Sequence, residues 1–340
     1  MIDLSIIIVT WNVWPLLRAC LESLAAITTP ITTEPTIRTF GHAAATHAVE
    51  VIVVDNAGQD ETATQLPIHF PWVRFLRSSE NLGFTGGNNL GYRFSRGAHI
   101  FFLNPDTALC AATDTAPTAS PDALWLLYQT LTSADTIGMV GPQLQYGDGS
   151  WQNNRRRFPT RLTGFWESTW LAQLWPNNPW ARHYHMRDYP ATARHDVEWI
   201  MGSAMLARRA ALEAARTPGD QGPFDERFFM YSEETDLCHR LQRAGWRIVY
   251  EPAALVLHYE GRSSEQVVAA RHIRFNRSKV QYYEKYFGQK WATLLRHYLL
   301  FEFRLQLLME WLKLQVGHKP EVRRARLTAY QQVLDSRLLG

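Results

Sequence analysis

The 340-residue sequence predicts an α/β domain with a mostly parallel central sheet, followed by a C-terminal helical extension. Three observations lead there. Short β-branched runs without polar alternation (Leu4 to Thr10, Val49 to Val54, His99 to Leu103) have the pattern of strands buried on both faces. Segments with helical spacing separate them. Two of the runs end on carboxylates, Asp55 after Val51-Ile52-Val53-Val54 and Asp106 in Leu103-Asn104-Pro105-Asp106, and ligands of open α/β sheets bind at that carboxyl edge.

After the first strand, Trp11-Asn12 makes a turn, and Trp14 to Ala26 carries Leu17, Leu21 and Leu24 at helical spacing. Residues 28–48, rich in Thr, Ala and Pro, read as a surface insertion before the second strand. Val73 to Leu76 is a third strand, Gly86 to Arg96 a helix, and His99 to Leu103 a fourth strand. A soft stretch from Ala111 to Pro121 precedes a helix at about Asp122 to Ser133. Further on, Trp199 to Ala207 reads as a strand, Glu234 to Ala244 as a helix and Arg247 to Tyr250 as a strand. Val267 to Phe287 reads as helix, stopped by Gly288. Trp291 to Val316 sets Leu294, Tyr298, Phe301, Leu305, Leu308, Leu312 and Val316 on one stripe, with basic residues Arg323, Arg324 and Arg326 beyond. Such a helix either packs its stripe against the preceding domain or a second subunit, or lies on an anionic membrane surface. The expected division is therefore 1–265 and 266–340.

The net charge of +3 is too small to imply a nucleic-acid partner. Cys20, Cys110 and Cys238 are odd in number and widely spaced, which suggests neither a disulfide framework nor a zinc site with paired ligands, and points to a reducing cytoplasm. Met1-Ile2-Asp3 places no basic segment before an apolar run that ends at Val9, so the start reads as a strand and not as a signal peptide. No stretch reaches the roughly 20 uncharged apolar residues of a membrane span.

The glycine-dense segment Asn81 to Gly91 lies between a strand and a helix. It suits either a phosphate-adjacent helix start or a tight turn without ligand. Asp106 is either a turn cap or a ligand of a cation that takes its other ligands from a diphosphate and water. Glu233, Glu234 and Asp236 would occupy the first turns of a helix capped by Ser232, where the macrodipole favours acids. Close like charges also raise one another's pKa, which suits a general base. His258 closes the apolar run Ala254 to Leu257, as Asp106 closes its own. Arg155-Arg156-Arg157 could pair with phosphates or form a solvated loop.

In order along the chain these residues form a pattern: Val9-Thr10-Trp11-Asn12, Val53-Val54-Asp55-Asn56, Asn81-Leu82-Gly83-Phe84 with Gly86-Gly87-Asn88, Asn104-Pro105-Asp106, Arg156-Arg157-Phe158-Pro159, Gly202-Ser203-Ala204, Phe224-Asp225-Glu226, Phe229-Met230-Tyr231, Glu233-Glu234 with Asp236, and His258 with Gly261 and Ser263. The pattern resembles the family 2 inverting glycosyltransferases, in particular the bacterial rhamnosyltransferase-like branch of cell-surface polysaccharide synthesis. The resemblance implies a GT-A fold, a divalent cation (Mn²⁺ or Mg²⁺), a nucleotide-sugar donor with dTDP-L-rhamnose foremost, and a saccharide or lipid-linked acceptor. It implies nucleotide-sugar contacts at Thr10, Asn12, Asp55, Asn81, Gly83 and Gly86, and further along at Asn88, Asn104, Arg156, Trp199 and Gly202. Asp106 and His258 would hold the metal. Glu234 would be the base, with Glu233 and Asp236 as the other candidates. The metal motif carries one carboxylate, Asn-Pro-Asp, where the family has two aspartates.

The rivals are weaker. A dinucleotide-dependent oxidoreductase would follow its first strand with Gly-x-Gly-x-x-Gly, where this chain has Thr10-Trp11-Asn12. A nucleotidyltransferase would carry an early glycine-rich basic loop. A catalytically inactive GT-A-like glycan-binding or scaffolding protein would not need acids at all three positions. The expected place of action is the cytoplasm, or the inner face of the cell membrane through peripheral contact of the C-terminal helices.

Overall fold

The computed structural model describes residues 1–42, 45–109, 122–169, 174–259, 268–317 and 319–339. The soft stretch 111–121, Cys110, Gly261, Ser263 and the expected helix start at Val267 lie outside them. The chain forms two compact units, the first of Met1–Phe158, His185–Glu226 and Glu233–Ser263, the second of Pro159–Tyr184, Arg227–Ser232 and Ser264–Gly340. A single boundary near residue 265 omits the two earlier pieces of the second unit.

In the first unit, β1 (Leu4–Thr10) lies between β4 (Ala45–Asn56) and β6 (His99–Leu103), parallel to both. The outer edge of β4 is shared. Its second half pairs in parallel with β5 (Arg74–Ser78), and its first half pairs with the hairpin of β2 (Thr29–Pro30) and β3 (Ile37–His42). Residues 28–48 are thus not a surface insertion but an extension of the sheet. Ile37 and Phe40 are buried there, and buried Arg38 donates from Nε to Thr28 Oγ1 at 2.6 Å and from Nη2 to Thr28 O at 2.7 Å.

Beyond β6 the sheet continues through antiparallel β11 (Ala204–Arg208) to β8 (Ile137–Gln145), which runs parallel to β12 (Arg247–His258). The expected strand from Trp199 begins only at Ala204, and the expected short strand from Arg247 runs on to His258. Short strands complete the layer: β7 (Thr107–Leu109) and β10 (His195–Asp196) on β12, and β9 (Trp151–Gln152) on β8. Order from one end is β10-β12-β8-β11-β6-β1-β4-β3-β2.

Helices cover both faces. Leu17, Leu21 and Leu24 of α1 (Trp14–Ile27) pack with Ile6, Ile8, Val51 and Val53, and α4 (Ala123–Thr132) adds Leu124, Leu127 and Leu131 to the same core. The start of α4 is fixed by Asp122, whose side chain accepts from Trp125 N at 2.8 Å. After α2 (Thr62–His69), α3 (Gly83–Phe94) lies on the opposite face of β1. It lies so close that a Cβ on Gly87 would meet Val9 Cγ1 at 2.6 Å, and one on Gly91 would meet Ile7 Cγ2 at 2.5 Å.

The second unit is helical. The short α5 (Thr163–Ser168) and α6 (Pro179–Tyr184) accompany three longer helices, α9 (Val268–Phe287), α10 (Gln289–Gln315) and α11 (Pro320–Ser336), while α7 (Arg209–Ala214) and α8 (Glu233–Arg243) belong to the first unit. Tyr283, Leu295, Leu299, Phe303 and Val333 form the core of the second unit. Gly288 at φ 87° separates α9 from α10, as expected of the stop. The expected stripe of α10 does not pack inward. Leu294, Phe301, Leu308 and Val316 are exposed, and the buried face is Ala292, Leu295, Leu299 and Phe303. Arg323 of the basic tail is buried and donates to Glu310 Oε2 at 2.6 Å. Among the described residues, no helix is long and apolar enough to cross a membrane.

Candidate active site

The site residues expected from the sequence all belong to the first unit. At the carboxyl end of the parallel strands, Thr10 of β1 stands beside Asp55 of β4 in register. Both are buried, and Thr10 Oγ1 has no hydrogen-bond partner. Asp55 Oδ1 accepts from Gly58 N at 2.8 Å, and Oδ2 lies 3.3 Å from Arg77 Nε without hydrogen-bond alignment. Burial pushes the Asp55 carboxyl above its ordinary pKa, opposed by the Gly58 N–H and the Arg77 charge. Asn12, at φ 54°, turns its side chain to accept from Gln59 N at 2.6 Å and so ties the loop after β1 to the loop after β4.

Asn56, next to Asp55, shapes the glycine-dense segment. Its Nδ2 donates to Asn81 Oδ1 and Gly83 O, and its Oδ1 accepts from Leu82 N at 2.8 Å. Here the structure separates two uses of glycine. Gly87 and Gly91 permit the close approach of α3 to β1, and Gly86 stands over Leu82 Cβ. Gly83, at φ 71°, occupies the left-handed region at the helix start. Asn88 donates to Phe84 O one turn back. The neighbouring Asn89, which the sequence reading passed over, holds the 222–226 loop: its amide donates to Phe224 O and Glu226 Oε1 and accepts from Phe224 N. The signal was a buried polar residue at a core position of a helix, which only the fold makes visible.

Asn104 closes β6, donating from its backbone N to Ser203 O and accepting from Thr107 Oγ1 at 2.7 Å. Asp106 follows in the turn. The pairing of β7 with the end of β12 sets His258 opposite Thr107 and brings His258 Nε2 to 3.5 Å from Asp106 Oδ1. That oxygen is buried and has no hydrogen-bond partner. His258 Nδ1 lies 2.8 Å from Gln152 Oε1, and in the tautomer that carries its N–H on Nδ1 the ring donates to the amide oxygen and turns the Nε2 lone pair toward Asp106. Two metal-ligating atoms thus converge. Among the described residues no group of three or more His, Cys, Asp or Glu does so.

The chain enters α8 through Tyr231 at φ 71° and Ser232 at φ 66°, both left-handed. Ser232 therefore lacks the extended backbone of an N-cap. Glu233 is buried and hydrogen-bonds to Glu234. Burial first, then the charges of Glu234 and Asp236, hold its pKa well above the ordinary value of 4.5. Half-buried Glu234 has its Cβ 3.7 Å from the point where a side chain on Gly202 would begin, with the Phe84 ring at 3.5 Å from that point. Asp236 is fully buried and accepts from Arg240 Nε at 2.8 Å, while Arg240 also donates to Pro223 O. Its charge is spent on holding that loop.

The arginine run is anchored at every residue. Arg155 is buried, with its guanidinium over the Tyr250 ring and a bond to Tyr189 O. Arg156 and Trp199 exchange backbone hydrogen bonds at 3.2 Å, with the guanidinium 5.9 Å from the indole. Arg157 faces Asp188 at 3.5 Å. Burial, then the charges of Arg156 and Arg187, drives the His185 pKa from 6.5 down to about 3. Cys20 and Cys238 are buried free thiols pushed up to about 12 by burial. Thr85 Oγ1 and Ser203 Oγ join Thr10 Oγ1, Asp106 Oδ1 and Glu233 Oε2 as buried oxygens without partners. Thr85 was not given a role from the sequence, since a lone hydroxyl carries no pattern, and Ser203 entered only within the Gly202-Ser203-Ala204 motif.

Residues 5–213 match the pattern of Glycosyl transferase family 2, and residues 120–319 that of Glycosyl transferase family group 2. The N-acetylglucosaminyl-diphospho-decaprenol L-rhamnosyltransferase of Mycobacterium tuberculosis is 32% identical over 234 residues, 66% of this chain and 72% of that protein. Rhamnosyltransferase WbbL of Escherichia coli K12 is 44% identical over 63 residues, 18% of this chain and 22% of that protein. Among solved structures, mannosyltransferase PcManGT from Pyrobaculum calidifontis, in complex with GDP-Man and Mn²⁺, superposes with a TM-score of 0.51 at 15% identity over 99% of this chain and 87% of that one. GalNAc-T7 with UDP, GalNAc and Mn²⁺ gives 0.51 at 12% identity over 83% of this chain and 50% of that one. Such low identity bears on the fold alone, and that fold is of the GT-A type. The chain belongs to glycosyl transferase family 2.

Proposed function

We propose that the chain moves a sugar from a nucleotide-sugar donor to a saccharide carried on a lipid, with inversion at the anomeric carbon, in the synthesis of a cell-surface polysaccharide. One observation carries this reading: Thr10 beside Asp55, Asp106 beside His258, and Glu233 beside Glu234 are three pairs within one unit, each with a buried oxygen that makes no hydrogen bond. Thr10, Asn12 and Asp55 hold the nucleoside, and Asn81, Gly83, Gly86 and Asn88 line its approach. Asn104, Arg156, Trp199 and Gly202 serve the diphosphate and donor sugar.

Asp106 and His258 would hold a divalent cation, Mn²⁺ or Mg²⁺, because the orphaned carboxylate oxygen and the imidazole lone pair already face each other. Two protein ligands suffice where a diphosphate and water complete the shell. When bound, the cation offsets the charge that builds on the leaving diphosphate. Glu234 takes the proton of the acceptor hydroxyl while that oxygen bonds to the anomeric carbon. The bond to the diphosphate oxygen breaks on the opposite face, its electron pair leaving with the nucleoside diphosphate, so one displacement inverts the centre. Glu233, its pKa raised by burial and by the Glu234 charge, shares a hydrogen bond with Glu234 and leaves the working charge there.

The kinship to a rhamnosyltransferase supports dTDP-L-rhamnose as donor and an N-acetylglucosaminyl diphosphate lipid as the first acceptor to test. Residues 1–265 carry the chemistry, and 266–340 bring the enzyme to the inner face of the cell membrane as a peripheral protein. Nucleotide sugars are screened for release of free nucleoside diphosphate with that acceptor, with and without Mn²⁺. The reading expects one donor to stand out and release to need the cation. Release from no donor overturns it.

A further inference from the structure

The helical unit contains a cavity of about 1310 Å³ bounded by α9, α10, α11 and the end of α5. Ligand pockets are typically about 300–1,000 Å³. Its apolar wall includes Phe275, Leu299, Phe303, Leu305, Met309 and Val322, of which Phe275, Leu305, Met309 and Val322 are exposed at the surface. Three polar groups on the same wall are turned to partners in the unit. Lys279 Nζ is 3.3 Å from Ser168 Oγ and 3.9 Å from Glu167 Oε2, Asn276 donates to His272 O, and Glu302 accepts from Tyr298 OH. A polar guest would have to displace those contacts, whereas a hydrocarbon needs no hydrogen-bond partner.

Charge marks one end of the groove. Arg323, Lys313 and Arg326 gather around the single carboxylate of Glu310 at 2.6, 3.3 and 3.6 Å, leaving two positive charges in excess at the lip. The imbalance extends to the whole segment. Residues 266–340 hold 14 Lys and Arg against 5 Asp and Glu, a net +9, so residues 1–265 carry a net −6 within the chain total of +3.

We propose that this groove holds the isoprenoid chain of the lipid-linked acceptor, with the acceptor's phosphates facing the Glu310 cation cluster. The proposal rests on the lipid-acceptor reading above. It assigns the acceptor's hydrocarbon chain and phosphates to residues of the helical unit.

The test uses the full-length protein with two groove variants at exposed lining positions, Leu305→Asp and Ala325→Trp. Binding of a C15 isoprenyl phosphate is followed by tryptophan fluorescence. Turnover is compared on N-acetylglucosaminyl diphosphate esterified to a C15 isoprenyl chain and to a methyl group. Each variant should weaken isoprenyl phosphate binding and raise KM for the C15 acceptor by about tenfold or more, the effect of uncovering roughly two methylenes, with the methyl acceptor unaffected. If wild type favours the C15 acceptor and the variants keep that preference, the groove is not the site, although the lipid-acceptor reading stands. If wild type does not distinguish the two acceptors, the lipid-acceptor reading itself falls, and the groove assignment with it. Loss only of binding to phosphatidylglycerol vesicles, or only of a dimer by light scattering, gives the groove to bulk membrane or to a second copy and overturns the proposal.

Discussion

His258 Nε2 lies 3.5 Å from Asp106 Oδ1, and the other nitrogen of the same imidazole is 2.8 Å from Gln152 Oε1. The amide of Gln152 therefore orients a ring that would otherwise be free to present its proton to the carboxylate. Asp106→Ala should abolish transfer and Mn²⁺ binding while leaving thermal stability nearly unchanged, since its buried Oδ1 makes no hydrogen bond that would be lost. Gln152→Ala should weaken Mn²⁺ by about 10–100-fold, the usual cost of removing a group that orients a ligand. Titration of Mn²⁺ by calorimetry checks both, and full activity of Asp106→Ala or of EDTA-treated wild type would remove the cation from the mechanism.

Glu234→Gln should keep donor binding and lose roughly 10²–10⁴-fold in turnover, the scale of a removed general base. Asp236→Asn should act differently. It leaves the Arg240 guanidinium buried without its carboxylate, a change worth about 3–5 kcal/mol of stability. Rate and urea midpoint measured on both variants distinguish the roles, and a stable but dead Asp236→Asn beside an active Glu234→Gln would reverse them.

Glu233 predicts a pH dependence of stability. Its folded pKa is raised above the ordinary 4.5, so its contribution is fully present below 4.5 and is lost as pH rises through the folded value. Glu233→Gln keeps the neutral shape without the titration. Its melting temperature should match wild type in acid and exceed it at neutral and higher pH, and parallel melting curves across that range would contradict the assignment.

Gly87→Ala and Gly91→Ala should destabilise despite the better helix propensity of alanine. The gain is about 1 kcal/mol, whereas overpacking against Val9 and Ile7 costs about 1–3 kcal/mol. Urea unfolding gives the sign directly.

The parts of the fold legible in the sequence are those where burial is two-sided. β1, the second half of β4, and β6 read as unbroken apolar runs because helices cover both faces. β8 was illegible because Ile137–Gln145 contains Gly138, Gly141 and Pro142, residues that normally mark loops. Pro142 is tolerated because it sits at the register shift between Glu251 and Leu255 of β12. α10 misled for another reason. It is apolar on more than one side, so periodicity found a stripe but could not say that Leu295 and Phe303, and not Leu294 and Phe301, face the core. In the site, the acids were visible because they end apolar runs. The pairings were not, since His258 meets Asp106 only through a strand pairing between residues far apart in sequence.

The rim of the sheet has a consequence for how the protein behaves in a crowded solution. Its terminal strands, β2 and β10, are two residues long, and β2 contains Pro30, which offers no N–H. The longer side strand β5 carries Arg74 and Arg77. Short, proline-bearing or charged margins give another chain little backbone to zip onto. A twelve-stranded layer of this size could template its own precipitation, and here both end strands stop after two residues.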